Sequence, residues 1–368
     1  MNRPSSARRI GIVETAAWTP AGDARATAEA LLNDQILLKP RPFDWNDGEP
    51  VPLSLDTPSA ETCPPRWWER LQAFAAPIAN ADWGTRRRPV FLTSSNFGVG
   101  NLFAYRCTGN RDHLAWGTPH ACMERIREAF GWGPNVILLS HACVSAQLGL
   151  FQAQRLLEQG LADSALIFSF DFLSPFVVGG FHALKILNGE WPAPYTKRDT
   201  GSIGLGDGAA YAILSRETIG TRAHLHAQAL HNELAHFTAN RADGAGFGAL
   251  LEQLPLDGMR LWVKGHGTGT LEAGRLEAAA VAAAVPGAPL VSWKGSLGHT
   301  LGSCALVELA VALAAVDLGR IPGTVGAGEK VFTPQVAREA FDAKRFNAIL
   351  MLSNAFGGAH GGMVVGYA

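Results

Sequence analysis

Four short stretches of the chain set a reactive side chain among small residues. Leu138-Leu139-Ser140-His141-Ala142-Cys143-Val144-Ser145-Ala146 carries a thiol. Lys264-Gly265-His266-Gly267-Thr268-Gly269-Thr270 carries an imidazole between alternating glycines. Trp293-Lys294-Gly295-Ser296-Leu297-Gly298-His299-Thr300-Leu301-Gly302 carries an amine and a second imidazole. Asn354-Ala355-Phe356-Gly357-Gly358-Ala359-His360 sets an aromatic ring before a glycine pair. A thiol at the start of a helix feels the positive end of the helix dipole, which lowers its pKa and enriches the thiolate. Alternating glycines let backbone approach a ligand closely, and the Thr268 and Thr270 hydroxyls can bond an extended polar chain. Each stretch alone also has a plainer explanation. Cys143 can be a buried packing residue, as free cysteines often are. The two histidine loops can be ordinary glycine-rich connections, and Gly357-Gly358 either a mobile flap or a tight hairpin. Together, one Cys, two His and a Lys on four separate loops are the residue types of a thiol acyl-transfer site.

Those loops need strands that end and helices that begin around them, which is where open α/β sheets place ligands. Short apolar runs predict strands at 9–13, 89–95, 135–139, 164–170 and 211–215, then at 223–230, 261–264, 289–293, 348–353 and 362–366. Helical spacing fills the intervals at 23–32, 143–158, 175–187, 245–254, 272–285 and 302–318. Strands alternating with helices imply βα units around a buried sheet. Residues 41–88 break the pattern with Pro, Asp, Trp and weak periodicity. They read as a surface excursion holding a short helix around Trp67–Phe74. The scheme runs twice, which divides the chain into halves 1–220, with the cysteine, and 221–368, with the two histidines and the lysine.

Composition narrows the class further. Charged residues make up only 17% of the 368 and hydrophobic ones 47%, so the chain buries a large core and has scope for an apolar subunit interface. The balance of 31 basic and 32 acidic residues argues against a nucleic-acid or anionic-membrane binder. Five cysteines with no C-x-x-C pair fit neither a disulfide framework nor a zinc ribbon, and point to a reducing cytoplasm. The first twenty residues lack the apolar run of a signal peptide. The apolar stretch 305–318 contains Glu308 and Asp317 and is too short for a membrane span, so it predicts a buried helix.

The chain resembles the β-ketoacyl-acyl-carrier-protein synthases, the elongating condensing enzymes of the thiolase-like superfamily. The likeness is carried by 131–146 (GWGPNVILLSHACVSA), 174–187 (SPFVVGGFHALKIL), 195–214 (YTKRDTGSIGLGDGAAYAIL), the H-G-T-G-T of His266–Thr270, the K-G-x-x-G-H-T-x-G form of Lys294–Gly302, and Ile321-Pro322-Gly323-Thr324. The resemblance implies duplicated βαβαβαββ halves in a layered α-β-α-β-α architecture. It implies that Cys143 accepts an acyl group and that His266 and His299 bind the malonyl thioester. Lys294 would hold the histidine cluster with Glu277 as its partner. Thr268 and Thr270 would contact the phosphopantetheine arm. Phe356, ahead of Gly357 and Gly358, would gate the nucleophile, its backbone N–H joining that of Cys143 as oxyanion donor.

The implied reaction is decarboxylative Claisen condensation with malonyl-acyl carrier protein in a specialised type II fatty-acid, polyketide or polyene pathway. No cofactor is implied, because the phosphopantetheine arrives on the acyl carrier protein. The implied partners are acyl- and malonyl-loaded carrier protein and a second subunit, identical or paralogous. The alternatives are a non-catalytic chain-length-factor-like subunit and a thiolase acting on coenzyme A esters. His141, Asp207, Gly274, Asn354 and His360 depart from the family pattern, the last standing where an Asn is usual. These departures bear on the substrate and subunit arrangement more than on the reaction.

Overall fold

The computed structural model describes residues 9–42, 48–56, 61–234, 236 and 238–367. Its centre is a mixed sheet of ten main strands: β1 (Ile10–Thr19), β2 (Val90–Thr93), β3 (Val136–Leu139), β4 (Ser164–Asp171), β5 (Gly208–Ser215), β6 (Ala223–Asn232), β7 (Leu261–Lys264), β8 (Leu290–Val291), β9 (Ala348–Ala355) and β10 (Ala359–Tyr367). The helices are α1 (Ala24–Leu32), α2 (Trp68–Ala75), α3 (Val99–Thr108), α4 (Pro119–Ala129), α5 (Ser145–Glu158), α6 (Pro175–Ala183), α7 (Ala245–Leu251), α8 (Leu271–Ala284), α9 (Lys294–Leu297) and α10 (Cys304–Asp317).

The strands lie in the order β8-β7-β9-β10-β6-β1-β5-β4-β2-β3. If each set of five is numbered along the chain, both sets have the order 3-2-4-5-1. In both, the first two pairings, counting in from the outer edge, are parallel and the next two antiparallel. The sets join where β1 meets β6 antiparallel, Ile10 opposite Leu225, Gly11 opposite His224 and Ile12 opposite Ala223. This duplicated layout is the thiolase-like fold.

One hydrophobic cluster draws on both sets. Ile12, Ile167, Ala212 and Leu214 contribute from the first, and Trp262, Ile349, Met351 and Val365 from the second. Between them run α5, burying Ala146, Leu150, Ala153 and Leu157, and α10. The apolar residues of α10 go all the way round, and every residue from Cys304 to Ala312 is buried, as a helix without a polar face must be. Each of these helices is entered from a turn that carries a candidate site residue. Cys143 precedes α5 after the third strand of the first set, and His299 precedes α10 after the third strand of the second.

The segment expected as a surface excursion is in part core. Trp67, Leu71, Ile78 and Trp83 are buried beside Phe168, Phe170, Trp116 and Phe130. Trp67 stacks on Phe172, centroids 5.4 Å apart, and lies within 5.7 Å of two further rings, those of Trp116 and Phe170. Weak periodicity hid this because short helices and turns present their rings in no fixed period, while large aromatic areas still dominate burial.

Candidate active site

The cysteine elbow is built by a short irregular turn. After β3 the chain passes through Ala142 with φ +45°, a left-handed conformation that costs a residue with a Cβ about 1–3 kcal/mol. Ser145 holds the turn closed. Its Oγ donates to the Ala142 carbonyl (2.7 Å) and accepts from the His141 N–H (2.8 Å). Helix α5 starts at Ser145, so Cys143 sits two residues ahead of it rather than opening it.

Behind the elbow, Asp171 is fully buried. It accepts from Ser94 Oγ (2.7 Å), Ser95 N (3.1 Å) and Asn96 Nδ2 (3.0 Å). Burial raises its carboxyl to about 6 against the pull of those donors. Gly302, from the His299 loop, packs so closely on this wall that a Cβ there would lie 2.7 Å from Ser95 N and 2.8 Å from Asp171 Oδ2. The two halves therefore touch at the nucleophile.

Cys143, His266, His299, Thr268, Thr270 and Phe356 line one cavity of about 240 Å³, together with Phe181, Ile203, Asn354 and others. The rings of His266 and His299 meet edge to face, centroids 5.0 Å apart. Both are buried, and among the described residues His266 Nδ1 and both ring nitrogens of His299 have no hydrogen-bond partner. Burial, reinforced by the Lys294 charge, holds both imidazoles well below the usual histidine range. They are neutral, and each has one N–H to donate. Thr268 Oγ1 and Thr270 Oγ1 lie 3.2 Å apart. Phe356 stacks on Phe181 with centroids 5.8 Å apart. Gly357 and Gly358 form the turn of the β9–β10 hairpin, both at positive φ, so the glycine pair is a tight turn carrying Phe356.

Two sequence expectations are corrected. The Cys143 thiol is only 8% exposed, and burial pushes it above the ordinary cysteine range rather than below. Desolvation disfavours the charged form, and it outweighs whatever the α5 dipole supplies two residues away. Glu277 is not the partner of Lys294. Its carboxylate accepts from the backbone N–H of His266 (2.6 Å) and Gly267 (3.0 Å) and from the Tyr195 hydroxyl (2.8 Å). From α8 it fixes the backbone of the histidine loop, and it is absent from the cavity wall.

Lys294 instead meets Glu308 of α10, Nζ to Oε1 at 2.7 Å, while Lys264 takes the other oxygen at 2.8 Å. Both lysines are fully buried and the Glu308 side chain is 5% exposed. Burial opposes the Glu308 charge, but the two ammonium groups outweigh it and hold the carboxyl below its usual range. Burial also pulls on Lys294, yet Glu308 keeps it above the ordinary lysine value. Burial brings Lys264 down to about 8, with Glu308 pulling it up and Lys294 down. Sequence reasoning missed Glu308 and Lys264. The available signal was a lone carboxylate inside an otherwise apolar helix, since a buried charge requires a partner.

Residues 229–327 match the beta-ketoacyl synthase C-terminal domain. The chain is 30% identical over 265 residues to the tetracenomycin polyketide synthase ketoacyl synthase alpha subunit of Streptomyces glaucescens, a match covering 64% of this chain and 61% of that subunit. The chain thus spans about three fifths of that relative's length. Among solved structures, a beta-ketoacyl synthase from Burkholderia phymatum superposes with a TM-score of 0.81 at 20% identity, over 98% of this chain and 100% of the other. A ketosynthase solved with its chain length factor from Xenorhabdus doucetiae gives 0.80 at 19% identity, covering both chains fully. Residues 229–327 thus carry a beta-ketoacyl synthase C-terminal domain, and the chain has the thiolase-like fold and is similar to type II ketosynthases.

Proposed function

We propose that this chain is a condensing acyltransferase that joins an acyl group held on Cys143 to a malonyl unit carried by acyl carrier protein. The observation that carries the reading is the single cavity shared by the Cys143 sulfur, two neutral imidazoles with unpartnered nitrogens, and Phe356. In the first step Cys143 Sγ attacks the incoming thioester carbonyl. The backbone N–H groups of Cys143 and Phe356 hold the tetrahedral oxyanion, and the carrier thiol leaves with the cysteine's proton. In the second step the malonyl thioester loses carbon dioxide, and its carbonyl oxygen becomes an enolate oxygen bonded by His266 and His299. The enolate carbon attacks the Cys143 thioester, forming the carbon–carbon bond, and the thiolate leaves and regains a proton. Neutral N–H donors suit a charge that appears only in the transition state.

Thr268 and Thr270 at the cavity wall suit the polar phosphopantetheine arm, which in this reading comes with the carrier protein. A second subunit, identical or paralogous, is part of the proposal. β3 forms one edge of the sheet, and its four apolar residues are half-exposed, a liability that pairing with another chain removes.

A second reading is a chain-length-factor-like subunit that shapes a partner's cavity without catalysing. The buried, protonated thiol supports it, as does likeness to ketosynthase structures solved with their chain length factors. Intact-protein mass spectrometry after incubation with acyl-loaded carrier proteins separates the two. An acyl adduct on the native chain that is absent from Cys143→Ala supports the enzyme. An unmodified native chain across all acyl lengths supports the subunit.

A further inference from the structure

A lysine and a glutamate buried together form a neutral pair. Here one buried carboxylate pairs directly with two buried ammonium groups, so these three groups carry one excess positive charge whenever both lysines are protonated; Glu277 acts on them only through space, its oxygens being taken by the His266 and Gly267 N–H groups and the Tyr195 hydroxyl. Such a charge is costly in a water-poor interior. It is useful only where a negative charge arises beside it. The cluster lies near the two imidazoles: Lys264 ends β7 two residues before His266, Lys294 opens α9 five residues before His299, and the charges of both lysines act on both rings. Lys264 also reaches into the His266 loop directly, its Nζ donating to the Gly265 carbonyl at 2.7 Å. One ammonium group therefore ties the backbone ahead of His266 to Glu308, and through Glu308 to Lys294. The Trp293 ring, centred 5.5 Å from Lys264 Nζ, adds a cation–π contact that helps hold the charge without neutralising it.

We propose that Lys264 is a positioning residue of the condensing site, supplying the excess buried positive charge that favours the enolate formed at the His266–His299 pair. The proposal rests on the condensing reading above. Lys264 does not touch substrate. It acts through Glu308 and the loop of His266, and the sulfur chemistry at Cys143 needs it less. The charged and titratable groups around it are Glu308 and Cys304 on α10, Lys294 on α9, His266 and His299 in the loops, and Glu277 on α8. With burial the leading cause, Lys264 releases its proton near 8, so its contribution is present below that pH and fades above it.

The test uses Lys264→Met, which removes the charge, and Lys264→Gln, which removes it while keeping a donor for Gly265 and Glu308. Three quantities are measured: acyl loading of Cys143 by mass spectrometry, decarboxylation of the malonyl thioester of N-acetylcysteamine against pH, and the titration of the histidine rings by NMR in the unloaded protein. Both variants should load acyl at near-native rates and decarboxylate roughly 10- to 100-fold more slowly, the range of losing one preorganised electrostatic group. The native rate should fall as pH rises through about 8, and neither variant should show that fall. His266 and His299 should titrate at higher pH in the variants, because a neighbouring cation is gone. Variants with native decarboxylation and an unchanged alkaline limb overturn the role of Lys264 while leaving the condensing reading intact. A native chain that neither loads acyl nor decarboxylates malonyl overturns the condensing reading. The histidine titration then decides the charge effect by itself, and unmoved rings in Lys264→Gln sink it.

Discussion

Replacing Glu308 by Gln offers the sharpest test of the buried charge cluster. The side chain keeps its volume, so packing within α10 is little disturbed, but two ammonium groups at 2.7 and 2.8 Å lose their counter-charge. Removing one partner of a buried pair costs about 3–5 kcal/mol. With two lysines depending on one carboxylate, the upper end is expected, about 5 kcal/mol, against a usual domain stability of about 5–15 kcal/mol. The loss should depend on pH. Without Glu308 both lysines give up their protons in the folded chain at lower pH than in the unfolded chain, where lysine titrates near ~10.4. Across that interval the unfolded chain binds more protons, so stability rises with pH.

In the native protein Lys264 already acts in that direction, being held near 8. Lys294 acts oppositely, because its raised value makes its stabilisation fade as pH climbs through it. The gap between native and Glu308→Gln should therefore be widest near neutrality and narrow toward about pH 9.5. Urea unfolding followed by tryptophan fluorescence at several pH values measures it, with Trp262 and Trp293 as buried reporters. A gap below about 1 kcal/mol, or one constant between about pH 7 and 9.5, would refute the charge argument.

His299→Ala should slow malonyl decarboxylation by about 10²–10³-fold, the effect of removing one preorganised donor, while Cys143 still takes up acyl groups. Equal loss of both steps in single-turnover assays would contradict the division of roles. Trp67→Ala should cost about 3–5 kcal/mol, since the ring is 6% exposed and stacks on Phe172. A loss below about 1 kcal/mol in denaturant unfolding would restore the surface-excursion reading of 41–88.

Much of this architecture was legible in the sequence because period and punctuation coincided. The strand at Leu261–Lys264 matches its expected bounds. The expected buried helix at 302–318 appears as α10, with a short 3-10 turn, Leu301–Ser303, taking its first residues. The gathering of Cys143, His266, His299 and Phe356 in one cavity follows from four loops at strand ends. What could not be read was partner choice among charges. Glu277 and Glu308 both lie on helices near Lys294 in the chain, and only the fold turns one toward backbone amides and the other toward ammonium groups. The thiol was misjudged for a related reason: a turn of two extra residues and a dense surround decide its ionisation, and neither has a sequence period.

The matched strand order carries a mechanical consequence. The turn bearing Cys143 and the turn bearing His299 are counterparts, each anchored on its own five-strand unit. No linker between sulfur and imidazole can absorb a relative rotation of the units. Their spacing is transmitted through the β1–β6 seam, three paired residues on each side, and through the contact of Gly302 with the elbow wall. A slip of that seam by one residue would move the nucleophile relative to the two imidazole donors while leaving each turn intact on its own unit.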